Sequence, residues 1–203
     1  MTAETIQVPG YVAGKWALDP VHSQVGFTVK HMMVSKVRGH FKIFDAEIVT
    51  AEDPLKSSFT ARVDLRSVDT GQEQRDNHIR SADFFEVETH PEMTYRSTGI
   101  RLAADGEGFI VDGELTLRGV TRQVPFQLEV EGFGPDPFGG TRSGFTLTGE
   151  INRTDFGVSF NGPIPGTSGG VVVSEKVQIQ VEIEAVLEKE DQEAVLEKED
   201  QEG

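Results

Sequence analysis

Between Ser23 and His31 the chain alternates, with Ser23, Val25, Phe27, Val29 and His31 in one phase and Gln24, Gly26, Thr28 and Lys30 in the other. Successive side chains on a strand point to opposite faces, so this pattern predicts a strand with one apolar and one wetter side. A short Met32–Ser35 link follows, then a second strand from about Lys36 on which Phe41 and Ile43 share a face. Gly39 is available there for a bulge or a tight barrel bend. The same period recurs downstream. Phe59, Ala61, Val63 and Leu65 mark one strand, and Met93 and Tyr95 a second over Glu92–Leu102. Phe109, Val111, Leu115 and Leu117 mark a third, with Gly119 in the turn after it. Val124, Phe126, Leu128 and Val130 follow, then Phe145, Leu147 and Ile151. Arg153–Phe160 carries Phe156, Val158 and Phe160 in one phase, and Val177 to Ala185 is the most regular alternation of all. Eight or nine strands separated by turn signals predict an antiparallel barrel or sandwich, an all-β fold.

One internal stretch breaks the period. Ser67–Phe85 contains Thr70-x-x-Glu73, the spacing of a capping box, ahead of a polar segment. This predicts one short helix over about residues 71–82. So short and polar a helix is not stable alone, and Phe84 and Phe85 are the expected anchors holding it on a larger body. Gly132–Arg142 and Asn161–Ser174 are rich in Gly and Pro and predict rim or lid loops.

A chain of 203 residues without an internal linker is expected to form one main domain, with a core large enough to need no staples. Residues 1–14 read as an N-terminal extension, 15–187 as the barrel domain and 188–203 as an acidic tail. Ala185–Glu193 is repeated letter for letter as Ala194–Glu202, so the last residues are set aside from functional reasoning. Net charge is −15; residues from Ala185 onward carry eight acidic and two basic residues, net −6, which leaves −9 for the rest. That charge disfavours nucleic acid as a partner. The absence of cysteine excludes thiol chemistry and cysteine-ligated zinc. The first twenty residues show neither a basic start nor an apolar run, and no stretch approaches a membrane span, so a soluble, cytoplasmic protein is expected.

Chemistry is sparse. His22, His31 and His40 recur every nine residues, but an odd spacing on one strand alternates faces, and no H-x-H or H-E-x-x-H occurs. No metal is expected. Arg75 and His78 share a face of the short helix, and Asp76 and Arg80 are spaced to pair. No nucleophile elbow, P-loop or dinucleotide fingerprint is present, so no catalytic residue is assigned. A metal- or His-dependent enzyme, using His22, His31 or His78 on a lipid-like substrate, is the main alternative. A haem- or quinone-handling redox accessory is another, although no C-x-x-C-H exists for covalent haem. Thirteen phenylalanines suit either an ordinary core or an apolar pore.

Several motifs in order resemble one family. Trp16-x-x-Asp19-x-x-His22-Ser23 and Phe27-x-Val29-Lys30-His31 open the match. Val68-Asp69-Thr70-Gly71, Glu73-Gln74-Arg75-Asp76 and His78-x-Arg80-Ser81-x-Asp83-Phe84-Phe85 carry its centre. His90-Pro91, the Gly113–Thr121 hairpin and Asn152-Arg153-x-Asp155-Phe156-Gly157 complete it. From about Lys15 to Leu187 the chain resembles the YceI-like family. The resemblance implies a lipocalin-like, eight-stranded antiparallel barrel with the helix packed on it. It also implies an apolar pore that binds polyisoprenoid or similar amphiphilic lipids, often in a homodimer. Many relatives carry a signal peptide, which this chain is not expected to have. The pore residues expected to touch the lipid are Phe27, Val29, Phe41, Phe84, Phe85, Met93, Phe126, Phe145, Phe156 and Phe160. His22, His31, Arg75 and His78 are the polar candidates for its headgroup. The bound lipid, an isoprenoid or fatty amphiphile, is the one small-molecule partner expected, with no resident cofactor. A tilted strand of about nine residues gives a pore on the order of 23 Å long. Burying about 15 methylenes supplies on the order of 12 kcal/mol before the costs of ordering the ligand.

Overall fold

The computed structural model describes residues 8–104, 106, 108–162 and 172–188. Its strands are β1 Gly14–Leu18, β2 Gln24–His31, β3 Ser35–Phe41, β4 Phe44–Thr50, β5 Ser58–Asp64 and β6 Val68–Asp69. They continue as β7 Glu92–Leu102, β8 Phe109–Leu117, β9 Val120–Gln123, β10 Phe126–Pro135, β11 Thr141–Asn152 and β12 Val173–Leu187, and α1 spans Glu73–Arg80. All pairings are antiparallel.

The twelve strands form a closed eight-stranded barrel, because several are halves of one stave. β12 pairs with β1 over Ala185–Leu187 and with β2 over Val173–Glu182, so β1 and β2 lie end to end along one flank of it. The break between them is the Asp19-Pro20 segment. β3 and β4 form the next stave, interrupted where the Ser67 hydroxyl accepts hydrogen bonds from the Lys42 and Ile43 N–H groups at 3.1 and 3.0 Å. β5 with β6, and β9 with β10, form two more. The interruption at Lys42 reverses the pleat. Phe41 is buried while Ile43 is 60% exposed, so the two do not share a face as their spacing predicts.

Alternation places the core. β8 is buried at every second residue, with Phe109, Val111, Leu115 and Leu117 inward. Trp16, Ala185 and Leu187 close one end, packed with Val12, Ile48 and Phe133. The Trp16 indole donates to Thr50 Oγ1 at 2.7 Å, and Thr50 donates onward to the Val12 carbonyl at 2.7 Å, so the plug holds no unpaired polar group.

Gly39 is neither bulged nor kinked. It pairs in register with Phe27, and a Cβ there would lie 2.4 Å from Phe27 Cζ. A Cβ on Gly113 would lie 2.3 Å from Tyr95 Cζ. Both glycines let an aromatic ring lie flat against the neighbouring strand, which keeps it out of the middle of the barrel.

α1 covers the opposite end and is shorter than its pattern predicts. Gln72, not Thr70, caps it by accepting from Arg75 N–H. Thr70 instead donates through its N–H and hydroxyl to the buried Asp76 carboxylate. Asp76 is thereby satisfied without Arg80, whose guanidinium reaches the Arg66 and Val68 carbonyls. Ile79, Phe84 and Phe85 pack on the main core as anchors.

Two further expectations change. Arg153–Phe156 is a 3₁₀ turn, and residues 157–160 after it are not in a strand. Asn152 accepts from Thr154 N–H at 3.0 Å, and Gly157 ends the turn in the left-handed region at φ 75°. Gly132–Arg142 is not a rim loop but the ends of β10 and β11, joined by a tight turn at Asp136–Gly140. Most of the Asn161–Ser174 loop, the start of the N-terminal extension and nearly all of the acidic tail fall outside the described residues.

Candidate ligand-binding lumen

The barrel is not filled. Many inward apolar side chains, among them Phe27, Phe44, Phe59, Ile100, Leu128, Ile179 and Val181, are only partly buried although they point at the core. They border two cavities. The larger, of about 450 Å³, lies under α1 and is lined by Phe27, Val29, His31, Phe41, Arg75, His78, Phe84, Phe85, Arg153 and Phe160. The smaller, of about 140 Å³, lies deeper and is lined by Phe44, Ile48, Phe59, Tyr95, Ile100, Phe126, Phe145, Val181 and Ile183. Val25, Met93 and Ile179 line both, so the cavities meet end to end at a waist of three side chains. The larger one alone falls in the roughly 300–1,000 Å³ range of small-molecule sites.

Polarity is graded along this axis. The titratable groups on the wall of the larger cavity are His31, Arg75, His78 and Arg153, with no carboxylate among them. The Arg75 Nε donates to Thr70 Oγ1 at 2.7 Å and its Nη2 to the Thr70 carbonyl at 2.8 Å. His78 faces Asp83 at 2.7 Å and stands edge-on to Phe84 and Phe160, with ring centroids at 5.1 and 4.9 Å. Arg153 is 4% exposed. It donates to the carbonyls of Ser174, Val158 and Val173 at 3.0, 2.7 and 3.2 Å, and burial pushes its pKa down. Among the described residues neither Arg75 nor Arg153 is within ion-pair distance of a carboxylate. The deeper cavity is dry in character. Its Tyr95 hydroxyl donates to the Val124 carbonyl at 2.9 Å, and burial raises its pKa, so the phenol stays neutral.

Of the pore residues expected from sequence, Phe27, Val29, Phe41, Phe84, Phe85 and Phe160 line the larger cavity, Phe126 and Phe145 the smaller, and Met93 both. Phe156 lines neither; it is 1% exposed and part of the core. The loss of the expected strand removes the phase that aligned it with Phe160. His31, Arg75 and His78 reach the larger cavity, whereas His22 does not. Arg153, Ile179, Phe44, Phe59 and Tyr95 were not singled out from sequence. Only the place of Arg153 in the Asn152-Arg153-x-Asp155-Phe156-Gly157 motif pointed to it; the others read as ordinary strand residues.

His22 belongs to an outer network. Its Nδ1 lies 3.0 Å from Asp19, and Arg142 reaches Asp19 at 2.7 Å and Glu184 at 2.6 Å. Asp19, His22 and Glu184 each place a potential ligand atom within 4.8 Å of the others, but the Arg142 guanidinium already bridges the two carboxylates. Hydrogen bonds from Arg142 and then His22 hold the Asp19 carboxyl well below its usual range, and the Asp19 bond raises the His22 pKa. The depressed Asp19 contributes stability that is complete above its unfolded value of 3.8 and is lost as pH falls below it. The raised His22 contributes stability present below 6.5 and lost as pH rises through its higher folded value. Thermal melts across pH 3–9 should therefore show wild type ahead of Asp19→Asn by a margin that shrinks at both ends of the range. A margin independent of pH would refute the linkage.

A YceI-like domain model matches residues 16–185, from within β1 to within β12 and so nearly the whole barrel. The chain belongs to the YceI-like family. A UPF0312 protein of Staphylococcus epidermidis is 37% identical over 172 residues, covering 84% of this chain and 96% of the relative. The YceI protein structure of Campylobacter jejuni superposes with a TM-score of 0.67 at 28% identity, covering 79% of this chain and 90% of the other. A domain from Saccharophagus degradans, described as polyisoprenoid binding, superposes at 0.63 and 21% identity over 88% of this chain and 100% of that one, which is a likeness of fold. The YceI-like barrel of this chain therefore shares its architecture with solved relatives, and no helix among the described residues is long and apolar enough to cross a membrane.

Proposed function

We propose that this YceI-like protein binds and carries a long-chain isoprenoid, or an amphiphile of similar shape, with its tail in the lumen and its headgroup under α1. The observation that carries this reading is the end-to-end arrangement of two apolar cavities with all of the cationic and imidazole side chains at one end. A branched hydrocarbon tail matches a lumen walled by Val, Ile and Phe and needs no polar partner there. The headgroup meets Arg75, His78, His31 and Arg153, which favour a group rich in hydrogen-bond acceptors, such as a quinone or an acidic headgroup. The polyisoprenoid binding of the Saccharophagus degradans domain supports the same class of tail. In this reading the protein is a soluble, cytoplasmic homodimer that carries its lipid without a catalytic step or a resident cofactor.

Native mass spectrometry of the purified protein, followed by solvent extraction, tests the reading. A stoichiometric prenyl or acyl species is expected. A ligand-free protein that also refuses added isoprenoid quinones would overturn it.

A further inference from the structure

The hairpin joining β2 to β3 forms one lip of the mouth. His31 and Val37 line the larger cavity, and the Met32 N–H donates at 2.8 Å to the carbonyl of Val172, another lining residue. Its tip is a β-turn closed by Val34 N–H on the His31 carbonyl at 3.1 Å, with Met32 and Met33 at φ 50° and 63°. A turn with positive φ at both centres is the type that favours Asn-Gly, and unbranched apolar side chains are poor residues for it. Met32, Met33 and Val34 are nevertheless there, and they are 37%, 55% and 86% exposed.

Charge at this tip is equally one-sided. Lys30 stands directly opposite Lys36 in the β2–β3 ladder, a like-charge pair that disfavours the hairpin. Arg38 is exposed one pleat further, and none of the three has an ion-pair partner among the described residues. From Pro20 to Phe44 the chain contains no Asp or Glu, within a protein of net charge −15. The adjoining stretch of β12 adds only Glu175, so the patch stays positive. An exposed apolar tip flanked by unpaired cations has two local costs that a single surface removes, and the unfavourable turn is kept with its apolar residues all the same. Anionic lipid headgroups neutralise the lysines while the methionines and valine enter the acyl boundary.

We infer that the β2–β3 hairpin docks this protein on anionic bilayers, with Met32–Val34 inserted and Lys30, Lys36 and Arg38 on the headgroups. The mouth then faces the bilayer, and a lipid enters tail-first without crossing water. The remaining negative charge of the chain is repelled by the same surface and orients the tip toward it. The purpose of this docking rests on the carrier reading, but the docking itself is measured without any isoprenoid, so the two fail separately.

Co-sedimentation with vesicles of phosphatidylcholine containing phosphatidylglycerol, against pure phosphatidylcholine, tests the inference. Binding is expected only to the anionic vesicles and should weaken with salt. Replacing all three cations (Lys30→Gln, Lys36→Gln and Arg38→Gln) should lower partitioning about a hundredfold, roughly fivefold for each. Met32→Asn with Met33→Gly gives the turn its preferred residues, so this variant should melt higher than wild type yet bind vesicles at least tenfold more weakly. Anionic vesicles that fail to capture wild type, or that capture the Asn-Gly variant equally well, would overturn the docking. Wild-type self-association in sedimentation velocity that the Asn-Gly variant abolishes, without vesicle binding, would show the tip to be a subunit contact instead.

Discussion

Ile179→Trp should leave the barrel folded and abolish its hold on long tails while sparing short ones. Ile179 lies at the waist, lining both cavities with Val25 and Met93. It projects into open lumen, so an indole there grows into space and avoids most of the usual overpacking cost of about 1–3 kcal/mol. The deeper cavity is then sealed from the mouth. A ligand that loses burial of one five-carbon isoprene unit forfeits about 4 kcal/mol at about 0.8 kcal/mol per carbon. That corresponds to nearly a thousandfold in Kd. A ligand with a tail of one or two units fits the larger cavity alone and should bind within a few-fold of wild type. Isothermal titration with a short- and a long-tailed ubiquinone separates the two. Equal losses for both would mean that the variant is simply damaged. No loss for the long tail would mean that the lumen is not occupied past the waist.

Arg153→Met should cost about 3–5 kcal/mol of stability, because it strips a buried donor and leaves its acceptors behind. The carbonyls of Ser174, Val158 and Val173 are tied together by this one guanidinium. They connect the turn after β11 to the start of β12, so the loss loosens one wall of the mouth. For a chain of this size the melting temperature should fall by roughly 10 °C or more. Arg153→Lys should recover only part of this, since an ammonium cannot span the same three acceptors as a planar fork. A methionine variant that melts with wild type would show that water replaces the guanidinium at no cost.

These expectations rest on features of unequal legibility. Period-two alternation was enough to place β2, β5, β7, β8, β11 and β12 within a few residues, because each has one face on the core. It did not reveal that β1 with β2, or β3 with β4, are single staves broken by local hydrogen bonds such as those of Ser67. Phe156, Val158 and Phe160 show the limit of the pattern. Three residues fit a strand, yet the Asn152 cap and left-handed Gly157 close a turn instead. The capping box at Thr70 misled in the same way, since Thr70 is drawn to the buried Asp76.

By itself the sequence determined the class of fold, the family, the position of the helix and most of the apolar residues now found on the lumen. Alternation, turn residues and motif order are local or linear properties, and they survive without knowledge of neighbours. Only the tertiary structure decided which inward residues fill the core and which border a void. Val111 and Phe59 both point inward, but Val111 is 0% exposed in the core and borders neither cavity, whereas Phe59 faces the deeper cavity. That distinction depends on the sizes of side chains meeting from several staves, as at Gly39 and Gly113, where a missing Cβ draws a ring against the wall. The gathering of Arg75, His78, His31 and Arg153 at one mouth is likewise a product of barrel closure, which brings together residues far apart along the chain.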